Sequence, residues 1–127
     1  MNAVLEHNPP RLSLPPTVVA GHLRGCAEEL AESLRAGGVT ATAAELAEVV
    51  AQLVAGQRAL AGALAGLGDR LGENADALVA APPVDVEVVT EVLHAAATAV
   101  GCSADALGEA VPSFECVSES VGPDTRL

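Results

Sequence analysis

Apolar residues follow a helical spacing through the middle of the chain. The pattern consists of two rows, each with a seven-residue repeat. The first row is Leu46, Leu53, Leu60 and Leu67, and the second row, four residues later in each case, is Val50, Gln57, Leu64 and Leu71. Alternating steps of three and four residues place these positions on one face of an α-helix. The pattern therefore predicts a long central helix over about 43–80, and its apolar seam is the candidate interaction surface.

Both ends of this helix carry sequence signals. Thr42 and Glu45 have the spacing of a capping box, in which a hydroxyl and a carboxylate satisfy two amides of the first turn. At the other end, the Pro82-Pro83 pair does not allow the helix to continue. Gly72 is an alternative end as a left-handed cap. The apolar spacing continues as far as Leu78, however, so it favours one long helix, kinked at most near Gly72.

A second helix is predicted upstream, over about 18–36. Its apolar stripe has the same three-and-four spacing and consists of Val19, Leu23, Cys26, Leu30 and Leu34. Thr17 is the expected N-cap, and Gly37-Gly38 are expected to stop the helix.

A third helix is predicted downstream, over about 86–101, with Asp85 as its N-cap. Its stripe is Val86, Val89, Leu93, Ala96 and Val100. The valines raise a strand as an alternative, but the alternation of a strand fails at Val89 while the helical spacing continues. A short extra helix over 104–110 follows, and Pro112 is expected to end it.

These lengths predict an all-α fold, a helical bundle built on one long central helix with antiparallel flanking helices. Each half of the long helix would then have two helices, where a stable bundle usually has three or four. Phe114 is the only aromatic residue of the chain, so the core is thin. We therefore expect a homodimer to complete the bundle. Gln57 on the seam either sets the register between partners or lies at an exposed helix edge.

The segments outside the bundle are expected to be flexible. Residues 1–16 contain two Pro-Pro pairs and no secretory signal, which predicts a flexible arm. Residues 112–127 are polar and predict a flexible tail, leaving 17–111 as the helical domain. The final Thr125-Arg126-Leu127 also matches the C-terminal pattern that PDZ domains capture, although so short a match often arises by chance.

Composition and charge narrow the choice of partners. The chain has 17 acidic residues and 6 basic ones, all arginine, and its net charge is −11. Nucleic acids and anionic membranes require clustered Lys or Arg, so neither is expected as a partner, whereas a basic protein is an alternative partner. The Lys-free composition indicates a GC-rich bacterial genome, and we expect a cytoplasmic protein. A membrane-associated helix pair is the second alternative because residues 49–68 are apolar, although Arg58 would cost about 3 kcal/mol at a bilayer centre.

Residues that could carry chemistry are few. His22 and Cys26 lie four residues apart and, with His94 and Cys102, are the weak candidates for a metal site, although no CxxC or HxxxH motif is present. The sequence also lacks a Gly-rich phosphate loop and a nucleophile elbow. We expect no cofactor and no enzymatic activity. The expected function is a protein–protein interaction module, an adaptor or structural subunit, and the first alternative is a ligand- or metal-binding bundle that uses His22, Cys26 and His94.

Overall fold

The computed structural model describes residues 13–35 and 40–127. Helix accounts for 81% of these residues, and among them no strand is formed. The helices are α1 (Pro16–Arg35), α2 (Ala43–Glu73) and α3 (Pro83–Val121). The predicted all-α class is confirmed.

The chain divides into two compact units, residues 1–40 with α1 and residues 41–127 with α2 and α3. In the first unit α1 begins at Pro16, before the expected cap at Thr17, and the carbonyl of Pro15 accepts hydrogen bonds from the amides of Val18 and Val19. Most of the predicted arm and the Gly37-Gly38 stop lie outside the described residues. The packing of this helix along the long helix stays a prediction.

The start of α2 is as predicted, but its end is not. The amide of Glu45 donates to the Thr42 hydroxyl at 3.1 Å, and the amide of Thr42 donates to the Glu45 carboxylate at 2.9 Å, which completes the capping box. The helix ends at Glu73 instead of near residue 80. Asn74 is the C-cap residue: its amide makes the last helical hydrogen bond, to the carbonyl of Arg70 at 3.2 Å, and its side-chain Nδ2 donates to the same carbonyl at 2.7 Å. Residues 74–80 then form consecutive turns.

In contrast, α3 is longer than predicted. It begins at Pro83, where the fixed φ of proline suits a first turn, and it continues without a break to Val121. The predicted helices 86–101 and 104–110 are therefore one helix, and the expected stop at Pro112 is wrong. Pro112 has no amide hydrogen, so the carbonyl of Gly108 lacks its helical donor. The predicted domain boundary at residue 112 falls inside this helix.

Together α2 and α3 form an antiparallel hairpin whose contact repeats every seven residues. Among the partly or fully buried positions on α2, those that follow this repeat are Ala47, Val50, Val54, Gln57, Ala61, Leu64, Gly68 and Leu71. Their counterparts on α3 are Val86, Thr90, Leu93, Ala97, Val100, Ala104, Leu107, Val111, Phe114 and Ser118. Both sets advance by alternating steps of three and four residues, so one narrow seam runs along the whole hairpin.

A short C-terminal segment returns to the start of α2. Gly122, with φ +96°, ends α3 in a conformation that favours glycine. The carbonyls of Thr125 and Pro123 then accept hydrogen bonds from the amides of Ala43 and Ala44, at 2.7 and 3.1 Å. These amides belong to the first turn of α2, which has no partners of its own within the helix. Residues 122–127, which we call the C-terminal strap, thus help to cap the helix.

Candidate interaction surface

The predicted interaction seam divides into two rows with different surroundings. Val50, Gln57, Leu64 and Leu71 lie in the hairpin contact with α3. The other row, Leu46, Leu53, Leu60 and Leu67, lies beside that contact. Leu53 keeps 38% of its surface exposed and Leu67 keeps 52%. Leu46 and Leu60 are partly buried. The apolar surface of the row that the hairpin itself leaves exposed is therefore mainly that of Leu53 and Leu67.

Small residues take the place of these leucines in the hairpin contact. They alternate with Val50, Gln57, Leu64 and Leu71 at steps of three and four positions and are Ala47, Val54, Ala61 and Gly68. At Gly68, a Cβ atom would lie 2.7 Å from Nε2 and 2.9 Å from Cδ2 of His94, closer than real Cβ contacts come. The two helices therefore approach closely because the side chains between them are small.

The leucine row has neighbours on α3. Each leucine comes one residue before a small seam residue of α2. In an antiparallel pair, the α3 residues that come one position before the corresponding seam residues of α3 border the same side of the contact. These positions are Val89, Ala96, Ser103, Ala110 and Val117. None of these nine residues is charged, and we call them together the leucine face. On the same side of the hairpin, in the row of positions one step further from the contact, the charged residues are Arg70 and Asp85, both near the hairpin loop.

The opposite side of the hairpin contact is rich in charge. Its ionisable residues are Glu48, Arg58 and Asp69 on α2, and Glu87, Glu91, His94, Asp105, Glu115 and Glu119 on α3. We call this side the charged face. It carries most of the ionisable groups of the two helices, so the hairpin has one face suited to water and one suited to an apolar partner.

One ion pair and one hydrogen bond between a histidine and a carboxylate cross the hairpin on the charged face. Arg58 Nη1 lies 2.7 Å from Asp105 Oδ1, and His94 Nε2 lies 2.9 Å from Asp69 Oδ1. The side chains of all four residues are about half exposed or more, so each pair contributes at most about 1 kcal/mol. Their main consequence is geometric, since they fix which residues of α2 and α3 lie opposite each other.

Gln57 is the polar residue of the hairpin seam. Its Oε1 atom is buried and finds no hydrogen-bond partner among the described residues. An unsatisfied buried acceptor costs about 1–3 kcal/mol. The structure thus places Gln57 between α2 and α3 of one chain, and a role in setting the register between two chains stays a prediction.

The candidate metal ligands do not form a cluster. Among the described residues, no group of three or more His, Cys, Asp or Glu side chains is arranged to hold a metal ion. His94 Nε2 is hydrogen-bonded to Asp69 Oδ1. Cys102 lies eight residues further along α3, which is about 12 Å of helix. His22 and Cys26 lie on α1, and Cys26 and Cys102 are both exposed. The three-residue set His22, Cys26 and His94 therefore gains no support.

Two concave regions occur in the described part of the hairpin unit. One, of about 450 Å³, lies beside the loop and is lined by apolar residues such as Leu78 and Val79, with Glu87 and Glu91 on its rim. The other, of about 270 Å³, lies between the start of α2 and the end of α3, among three glutamates. Neither lining includes a histidine or a cysteine.

Both hairpin helices are long and apolar enough to cross a membrane, judged by length and composition alone. Each contains an 18-residue window with a mean hydropathy of 1.2. Core helices of helical bundles have the same length and composition, so this observation is weak evidence for a membrane span.

No protein-family model matches the chain, and no curated protein or solved structure is significantly similar to it.

Proposed function

We propose that this chain is a non-enzymatic helical interaction module, an adaptor or structural subunit of the bacterial cytoplasm, and that it binds protein through the leucine face. One observation carries the proposal. A regular row of four leucines, of which Leu53 and Leu67 are exposed, lies beside the hairpin contact on a face without charges, while most of the ionisable groups of the two helices lie on the opposite face.

The energetic argument concerns the exposed leucine side chains. Burying a fully exposed leucine side chain contributes about 1.5–3 kcal/mol. A partner that covers the row gains a fraction of this value at each leucine, and the largest fraction at Leu67, which is 52% exposed. Soluble monomers rarely expose a contiguous apolar patch larger than a few hundred Å² unless it is functional. The leucine face runs for about 32 Å along α2, from Leu46 to Leu67.

The test is photo-cross-linking in cells that make the full chain. A photoreactive amino acid at Leu67 is expected to give covalent adducts with protein, whereas the same group at Ala59, on the outer surface of α2, is not. Adding Leu53→Glu to the Leu67 probe should abolish the adduct, because a carboxylate two turns away spoils the same apolar contact. Mass spectrometry of the adduct identifies the partner.

Two results would contradict the proposal. One is an absence of protein adducts from Leu67, and the other is an equal yield from Ala59. A third result, an adduct that survives Leu53→Glu, would show that the contact does not depend on the leucine face.

A membrane-associated hairpin is the second candidate, favoured by the length and hydropathy of α2 and α3. The mid-helix pair Arg58 and Asp105 opposes it, since each would cost about 2.5–3.5 kcal/mol at a bilayer centre. Flotation of the purified chain with phosphatidylcholine vesicles tests this candidate. Co-flotation that Leu53→Glu abolishes would favour the membrane, and protein that stays at the bottom of the gradient would exclude it.

A further inference from the structure

The two rows of the leucine face differ in side-chain size. The α2 row consists of leucines, whereas the central α3 positions beside it are Ala96, Ser103 and Ala110. The face is therefore a ridge of large side chains next to a groove of small ones. A surface of this shape is complementary to a copy of itself when the copy is turned so that ridge meets groove.

The dimensions of the face suit a stable dimer. From Leu46 to Leu67 the helix rises about 32 Å, and two helices side by side are about 20 Å wide. Two such faces in contact would bury about 1,300 Å² in total, which lies within the range of specific protein interfaces, about 1,200–2,000 Å². Few charges would be desolvated, because the ionisable groups lie on the opposite face.

We infer that the partner on the leucine face is a second copy of this chain, related by a two-fold axis parallel to the helices. The leucine row of each α2 then packs against Ala96, Ser103 and Ala110 on α3 of the other copy. The two hairpin loops lie at the same end, and the four helices form one bundle. This inference rests on the proposed function and adds the identity and orientation of the partner.

The alternative two-fold axis, perpendicular to the helices, is less favourable for two reasons. It would place leucine row on leucine row and small row on small row, which leaves gaps between the copies. It would also make every facing pair a pair of identical helices, α2 on α2. With the parallel axis each α2 neighbours α3 of both copies, all neighbouring helices are antiparallel, and the bundle has the usual up-down arrangement.

The first experiment measures mass. Light scattering of the full chain at tens of micromolar should give about 25 kDa, twice the 12.6 kDa of one chain. Leu53→Glu should weaken the dimer at least about 100-fold, since each substitution acts twice in a symmetric contact. Ala59→Glu adds the same charge to the outer surface of α2 and should leave the mass unchanged. Far-ultraviolet circular dichroism checks that both variants remain helical.

The second experiment measures orientation. In a chain whose three cysteines are replaced by serine, single cysteines are introduced as Leu60→Cys and, separately, as Ser103→Cys, two positions that lie at the same level of the hairpin because Arg58 pairs with Asp105. With the parallel axis the leucine row of one copy lies against α3 of the other, so a mixture of the two variants should form disulfide-linked heterodimers under mild oxidation. With the perpendicular axis α2 lies on α2 and α3 on α3, and the mixture should not form heterodimers. A mixture of the Ser103→Cys variant with an Ala59→Cys variant is the matched negative control.

The outcomes separate this inference from the proposed function. One outcome is a monomer at tens of micromolar that still gives a Leu53-dependent adduct with a different protein. It overturns the inference that the partner is a second copy and supports the proposed interaction module. A monomer without any such adduct overturns both. A dimer that Leu53→Glu leaves intact, or one in which the Leu60→Cys and Ser103→Cys variants do not cross-link to each other, overturns the arrangement proposed for the leucine face.

Discussion

Replacing Gly68 with alanine tests the close approach of α2 and α3. Alanine in a helix interior is usually more stable than glycine by about 0.5–1 kcal/mol. Gly66 lies two residues away, and a Cβ there would meet nothing within 4 Å, so Gly66→Ala should show this gain. At Gly68 the new Cβ would lie 2.7 Å from His94 Nε2, and the imidazole must move away from Asp69.

The expected size of the effect follows from these contacts. Overpacking a filled contact costs about 1–3 kcal/mol, and a half-exposed ion pair contributes about 0.2–1 kcal/mol. Gly68→Ala should therefore range from no change to about 2 kcal/mol less stable. Urea denaturation of the full chain, followed by circular dichroism at one protein concentration, measures the free energy of unfolding.

A double-mutant cycle isolates the cause. When His94→Ala removes the imidazole, Gly68→Ala should become stabilising by about 0.5–1 kcal/mol, the same gain as Gly66→Ala. The reasoning is refuted if Gly68→Ala stabilises the native chain as much as Gly66→Ala does. It is also refuted if the presence of His94 makes no difference, since the clash would then lie elsewhere.

Three further changes have defined outcomes in thermal or urea denaturation. Gln57→Leu should stabilise the chain by about 1–2 kcal/mol, because it removes a buried acceptor without a partner. Gln52→Leu, on the outer surface, should not stabilise it, and an equal effect of the two substitutions would contradict the role of burial. Pro112→Ala should stabilise by about 1–3 kcal/mol by restoring the helical amide, and a loss of stability would show that the proline is needed. Deleting residues 122–127 should destabilise by about 1–3 kcal/mol, since the amides of Ala43 and Ala44 lose their acceptors; an unchanged midpoint would show that water replaces the strap fully.

The sequence predicted the helical class and the start of α2 because both depend on local signals. The capping box formed by Thr42 and Glu45 needs only residues within one turn. The ends at Glu73 and Val121 depend on competition between local and long-range terms. Asn74 ended α2 although the apolar spacing continued, and Pro112 did not end α3 although it weakens the helix. Beyond Pro112, burial of Phe114 and Ser118 in the hairpin contact offsets the lost hydrogen bond.

The α2 residues that face α3 were predicted only in part, for a reason that concerns side-chain size. A hydrophobic pattern gives most weight to leucine, so it joined Leu53 and Leu60 to Val50 and Gln57 in one seam. Close packing of two helices favours small residues instead, and the hairpin selected Val54 and Ala61. The sequence could not decide between these rows, because which residues face α3 depends on how closely the helices approach.

The strap between residues 122–127 and the start of α2 has a consequence for biosynthesis. The ribosome completes Ala43 about 80 residues before Thr125, which at roughly 5–20 residues per second is a delay of about 4–16 s. During that interval α3 can pack against α2 from the loop outward as it is synthesised. The amides at the beginning of α2 have no acceptors from the strap until its residues are translated. Closure of this end therefore cannot come before the translation of residues 123–125, which provide the acceptors.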